Sequence, residues 1–248
     1  MIQRAKAELL SILVQTPGVF TFFPPGQERP LAHQRSQRKP DVIYAGSVPS
    51  PYFCNLRLPT NVGDKQGTLT VEAVALVGEC LSELVHAEGH VRTIAGIPNA
   101  GDPLAAAVVA ASGANGYPLD RIRFLKQDGP RGTEFVRAEG REGLAVDVVV
   151  DDVITLADTK VRFLKALGKK PDAICLLLDR EEGGVLILQR MGYHVRAAFG
   201  LEDILAACLA ASLITQEHVD RTRAYAKDRR ELVNLYMEEI LADLQGDL

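Results

Sequence analysis

The sequence predicts an α/β protein built on a mostly parallel, doubly wound sheet. Two observations lead there. From residue 93 onward, short apolar runs and helical patterns take turns along the chain. The apolar runs also lack polar alternation, as strands do when helices cover both faces of a sheet.

Residues 2–15 read as an amphipathic helix, and residues 16–41, rich in Pro, Gln and Arg, as an irregular loop. Strand-like pieces follow at 42–44 and 52–58. Across 68–88, Val71, Val74, Ala75, Val77, Gly78, Leu81, Leu84 and Val85 recur at helical spacing. Residues 93–97 form a short strand running into Gly-Ile-Pro-Asn-Ala-Gly, and 103–112 an alanine-rich helix. Strands at 121–125, 146–150, 173–178 and 194–199 then alternate with helices at 159–167 and 184–191. Residues 201–213 and 216–244 read as two closing helices. This divides the chain into an N-terminal helix and loop (1–41, a hood segment), an α/β domain (42–215) and a C-terminal helix (216–248).

Composition narrows the function. Apolar residues make up 47% of the 248, enough for a full core, and the net charge of -4 gives no basic footprint for nucleic acid. No apolar run approaches the roughly 18–20 residues of a membrane span. The N-terminus lacks the apolar core of a signal peptide, so a cytoplasmic location is expected. Cys54, Cys80, Cys175 and Cys208 are widely spaced and read as buried free thiols. His86 and His90 lie four apart, but Gly89 intervenes and no third ligand follows.

The chemistry concentrates where Val148-Val149-Val150 runs into Asp151-Asp152 and then Val153-Ile154-Thr155. In a doubly wound sheet, ligands sit beyond the carboxyl ends of the strands. Two adjacent carboxylates there are costly to bury unless a cation or a hydroxylated ligand meets them. A sugar or a magnesium ion would serve. The loop over 155–159 leads into a helix, and its N–H groups suit an anion. The plainer alternative is a helix-capping pair.

The run VVVDDVIT resembles the phosphoribosyl pyrophosphate motif of type I phosphoribosyltransferases, and within them orotate phosphoribosyltransferase most. Three further segments match in order: Ser50-Pro-Tyr-Phe-Cys-Asn-Leu-Arg57, Gly96-Ile-Pro-Asn-Ala-Gly-Asp-Pro-Leu-Ala105, and Asp179-Arg-Glu-Glu-Gly-Gly184. Together they span about residues 42–215. The resemblance implies that Asp151 and Asp152 hold ribose hydroxyls, directly or through magnesium-bound water. Thr155 and Thr159 would border the phosphate, and Asn99, Ala100 and Gly101 the pyrophosphate. Phe53 would stack on a planar base and Arg180 face its edge, as an aromatic face and a guanidinium suit an electron-poor ring. For both, a core position or a solvated charge is the alternative. Lys126 and Arg131 would be the catalytic cations of a mobile loop supplied to a neighbouring subunit, so a homodimer is implied. The implied ligands are phosphoribosyl pyrophosphate and a nucleobase, with Mg2+ as cofactor.

Three departures weigh on that expectation. Ala157 stands where the resemblance implies glycine, and Asp158 puts a carboxylate either against the phosphate or outward as a helix cap. Asp102 adds an acid to the pyrophosphate loop. The stretch 125–132 keeps Lys126 and Arg131 but lacks further cations that would neutralise a departing pyrophosphate. The expected function is an orotate phosphoribosyltransferase-like enzyme. The alternative is a catalytically weak homologue that binds a nucleobase, nucleoside or nucleotide in a regulatory role.

Overall fold

The computed structural model describes residues 2–27, 29–30, 49–59, 67–129 and 132–246. In chain order the elements are α1 (Ile2–Gln15), β1 (Phe20–Phe22), β2 (Arg29–Pro30), β3 (Pro49–Ser50), β4 (Tyr52–Cys54), α2 (Val71–His86), β5 (Thr93–Gly96), α3 (Gly101–Ala114), β6 (Asp120–Arg121), β7 (Arg123–Gly129) and β8 (Gly132–Glu139). They continue with β9 (Val148–Ile154), α4 (Asp158–Ala166), β10 (Ala173–Asp179), α5 (Gly184–Arg190), β11 (Val195–Gly200), α6 (Leu201–Ala210), α7 (Gln216–Leu235) and α8 (Met237–Gly246).

The central sheet is parallel, in the order β11-β10-β9-β5-β6. Its middle strands are buried along nearly their whole length, the consequence of helices on both faces. Successive side chains point to opposite faces. Ile94, Val148, Val150, Cys175 and Leu177 therefore enter one core with α1, α2, α3 and α6. Ala95, Val149, Ile174 and Leu176 enter a second core with α4, α5, α7 and α8. Leu9 and Leu13 of the N-terminal helix lie in the first of these cores, beside the α/β elements. All four cysteines are buried free thiols.

From β5 the chain winds outward through α3 to β6. From β9 it winds the other way, through α4, β10, α5 and β11. Between β5 and β9 the winding reverses, and there the two following loops part and leave a crevice.

The structure corrects several sequence expectations. The strand expected at 146–150 carries on through Asp151 and Asp152 to Ile154, because Asp151 and Val153 still pair with Leu176 and Leu178. The strand expected at 121–125 and the following loop are instead an antiparallel hairpin, β7–β8, in which Lys126 pairs with Phe135. The single helix expected at 216–244 breaks at Tyr236, whose φ of -108° and ψ of 23° leave the helical region. The break lets Met237 and Ile240 join Val233 in the second core. Only Tyr52–Cys54 of the expected strand at 52–58 is strand, pairing with β1. The expected strand at 42–44 lies outside the described residues.

Helices α2 and α3 cross closely because Gly78 has no side chain. A Cβ there would lie 2.5 Å from the carbonyl oxygen of Ala107. Gly78→Ala is expected to lower unfolding stability by about 1–3 kcal/mol through overpacking, measured as a fall in the urea midpoint at unchanged m-value.

Candidate functional site

The crevice is a cleft of about 490 Å³ lined by, among others, Phe53, Arg57, Asn99, Ala100, Lys126, Asp151, Asp152, Thr155, Thr159, Lys160 and Arg180. Side chains singled out in five separate sequence segments thus meet in one place. Gly101 lies just behind the lining. A Cβ on it would come within 2.5 Å of the Val150 carbonyl oxygen and 2.9 Å of Asp151 Oδ1. Only glycine lets this loop come so close to the strand. The loop turns at Asn99, whose φ of 82° is left-handed, a conformation asparagine tolerates better than most residues.

At the floor, Asp151 and Asp152 are 5% and 6% exposed. Lys160, 6% exposed, reaches back from the first turn of α4. Its Nζ donates to Asp151 Oδ2 at 2.6 Å and to the Val153 carbonyl at 2.7 Å. Asp152 Oδ1 accepts the Val153 N–H at 2.7 Å. Burial, and then the neighbouring Asp151 charge, push the Asp152 carboxyl up to about 7; Lys160 and Arg57 oppose the rise.

Sequence reasoning passed over both Lys160 and Arg57. For Lys160 a signal existed: Phe163 and Leu164, three and four residues on, are buried, so residue 160 shares their face. Arg57 lies in a matched segment, but nothing in its spacing marks it. Its Nε is buried without a hydrogen-bond partner among the described residues.

On the opposite wall, Phe53 is 39% exposed on the cleft, so the core alternative does not hold for it. Its neighbour Tyr52 points inward and is buried. Arg180 is buried rather than solvated, and its guanidinium is already engaged. It pairs with Glu182 at 2.7 Å, donates from Nε to the Tyr52 hydroxyl at 2.8 Å, and from Nη2 to Ser50 Oγ at 3.2 Å. The Tyr52 hydroxyl in turn donates to Glu182 Oε1 at 3.0 Å. This network joins the N-terminal strands to the end of β10.

Lys126 reaches the cleft from the hairpin. Phe124 and Phe135 both pack edge-on against Phe163 of α4, at 5.1 and 5.3 Å between ring centroids. The period of two puts Phe124 and Lys126 on the same face of β7, so the aromatic anchor aims the lysine. Arg131 lies outside the described residues. The two acids that departed from the family pattern both turn aside. Asp102 faces the hairpin base, 3.4 Å from Arg123 Nε. Asp158 pairs with Arg162 at 3.2 Å, and Ala157 at the N-cap of its helix offers no side-chain cap. The first N–H groups of α4 thus keep their capacity to meet an anion.

The expectation of magnesium at Asp151 and Asp152 meets a carboxylate already engaged. Lys160 closes on Asp151 at 2.6 Å, in the place a directly bound cation would take. This donor set does not fit a divalent cation ligated directly by both carboxylates.

The fold and cleft define a protein with a doubly wound sheet and a cleft at its switch point, lined by paired carboxylates and the start of a helix. No protein-family model matches the chain. It is 32% identical over 169 residues to an orotate phosphoribosyltransferase of Streptomyces coelicolor, covering 66% of this chain and 87% of the relative. It is 29% identical over 181 residues to that of Sorangium cellulosum, covering 71% and 90%. Among solved structures, a phosphoribosyltransferase from Corynebacterium diphtheriae matches with a TM-score of 0.53 at 22% identity, over 81% of this chain and 98% of that one. A UMP synthase from Leishmania donovani matches with a TM-score of 0.60 at 21% identity, over 89% and 41%. The chain belongs to the type I phosphoribosyltransferase family. Among the described residues no helix is long and apolar enough to cross a membrane.

Two expectations follow from the buried charges. Arg180→Met strands Glu182 and is expected to cost about 3–5 kcal/mol, whereas Arg180→Met with Glu182→Leu recovers most of it; guanidinium denaturation of both variants checks this. Burial pushes the Asp179 carboxyl up to about 6, opposed by the Glu181 N–H at 2.8 Å and supported by the Glu181 and Glu182 charges. A raised folded-state value means stability that is full below the unfolded value, near 3.8, and lost as pH rises through 6. Asp179→Asn is therefore expected to remove a loss of about 1–2 kcal/mol between acidic and neutral pH, allowing for partial exposure, read from urea curves at both ends of that window.

Proposed function

We propose that the protein is a phosphoribosyltransferase acting on phosphoribosyl pyrophosphate and a planar anionic nucleobase, orotate being the base that its relatives' names point to. The observation that carries this reading is the convergence of Phe53, Asn99, Lys126, Asp152, Thr155 and Arg180 on one cleft.

In the proposed reaction, the bond from C1 of the sugar to the pyrophosphate oxygen breaks and its electron pair leaves with pyrophosphate. The lone pair of a ring nitrogen on the base forms the new bond to C1, and the proton on that nitrogen passes to the leaving pyrophosphate or to water. Positive charge develops on the sugar and negative charge on the leaving group. The protein's part is positioning and charge stabilisation. Asp152 faces the ribose hydroxyls, and the N–H groups at the start of α4 take the 5-phosphate with Thr155 and Thr159. The loop at Asn99, Ala100 and Gly101 carries the pyrophosphate, and Lys126 meets its developing charge. Phe53 offers its face to the base. The Arg180 guanidinium, held by Glu182, offers an N–H edge to a carbonyl or carboxylate. A homodimer completes the proposal, with Lys126 lining the cleft of its own chain.

A second reading, a weakly catalytic homologue that binds a nucleobase, nucleoside or nucleotide, draws on one observation. Among the described hairpin residues, Lys126 is the cation lining the cleft.

Calorimetric titration with phosphoribosyl pyrophosphate, followed by a pyrophosphate-release assay with orotate and with uracil, decides between them. Micromolar binding with release on orotate is expected. Binding without release supports the second reading, and no binding below millimolar concentration sinks the first. Within the enzyme reading, Lys126→Ala is expected to lower kcat by about 10²–10³-fold, with a smaller change in substrate affinity.

A further inference from the structure

Lys160 sits where a lysine has little reason to be. It lies in the first turn of α4, where the helix dipole disfavours positive charge, and it is buried, where an ammonium is costly. Both costs are offset by Asp151 Oδ2 at 2.6 Å and the Val153 carbonyl at 2.7 Å. An ammonium has three donors, so one beyond these two remains beside the cleft that Lys160 lines.

Arg57 lines the same cleft. Arg180 and Glu182 cancel each other. The floor thus holds two carboxylates and two built-in cations, with no net negative charge to recruit a divalent ion. Asp152, which has no salt bridge among the described residues, keeps its place beside the cleft.

We propose that Lys160 is the resident cation of the pentose subsite: it takes the charge-balancing place of a divalent metal at Asp151, so that a ribose 5-phosphate group binds without metal. The inference rests on reading the cleft as a pentose site. Lys160 is a specificity-determining residue here, acting on a sugar diol through the carboxylate it holds and through its remaining donor.

The test uses ribose 5-phosphate, which lacks the pyrophosphate that would itself carry metal into the site. Its affinity for the full chain is measured by calorimetry in EDTA and in millimolar magnesium. For the native protein the two dissociation constants are expected to agree within about twofold. Lys160→Met is expected to weaken binding about ten- to hundredfold in EDTA, the loss of one charged hydrogen bond, and magnesium to restore part of it. Should Lys160→Met fail to fold with Asp151 unpaired, Lys160→Met with Asp151→Asn removes both charges and is measured in its place. Binding of Mn2+ to the native protein, followed by electron paramagnetic resonance, needs no variant: no saturable site is expected with ribose 5-phosphate present. A tenfold gain from magnesium in the native protein, or a saturable Mn2+ site dependent on Asp151, overturns the proposal while leaving the pentose site standing. Failure of ribose 5-phosphate to bind under either condition overturns the pentose reading itself.

Discussion

The loop after β5 touches the middle of β9, where Gly101 meets Val150 and Asp151, and the site depends on that contact. The Ile97 N–H bonds to the Val150 carbonyl at 3.0 Å, and the Gly101 N–H returns to Ile97 at 2.9 Å. The loop is thereby held against the strand until α3 begins. Gly96 allows the same closeness from behind, since a Cβ there would lie 2.2 Å from the Gly101 carbonyl oxygen. Two glycines thus fix where the crevice opens and bring the start of α3 beside the Asp151 carboxylate. The reversal of winding between β5 and β9 makes a crevice; these contacts give it its walls.

Charge inside the crevice is managed in pairs. Lys160 closes on Asp151 and Glu182 closes on Arg180, both pairs almost wholly buried. A buried pair contributes little net stability against an apolar replacement, yet losing one partner is expensive. Such pairs fix geometry more than they add stability. Arg180 is held by Tyr52, Ser50 and Glu182, so its position is set before any ligand arrives. The same network fastens the N-terminal strand β4 to the sheet and so holds Phe53 over the cleft.

Much of this was legible in the sequence, and the reasons are local. Uninterrupted apolar runs at 148–150 and 173–178 mark strands covered on both faces, and the Asp-Asp pair within the first strand marks where the cleft lies. Matching segments point to Phe53, Asn99, Asp151, Thr155 and Arg180, and the cleft gathers them. The hairpin escaped because a loop was expected over 125–132, although Asp128-Gly129 ahead of a proline is a turn signal between Phe124 and Phe135. The break at Tyr236 has no marker: no glycine or proline interrupts 216–244, and tertiary packing decides it. Arg57 is likewise set by tertiary packing alone.

The two acids that set this chain apart show why a substitution is judged by its partner rather than its position. Asp102 and Asp158 fall at places where a phosphate-bearing ligand would meet repulsion. Each has an arginine within reach instead, Arg123 from the hairpin and Arg162 one turn along α4. The pairing with Arg123 also ties α3 to the strand that carries Lys126. An acid that looks hostile to a phosphate thus helps to place a cation for one, and the balance of charge at the cleft mouth stays favourable to an anion. At the floor the logic is reversed. There Lys160 brings a positive charge onto Asp151, and on the proposed reading the chain's main departure is that a lysine, in place of a metal, neutralises the sugar end of the site.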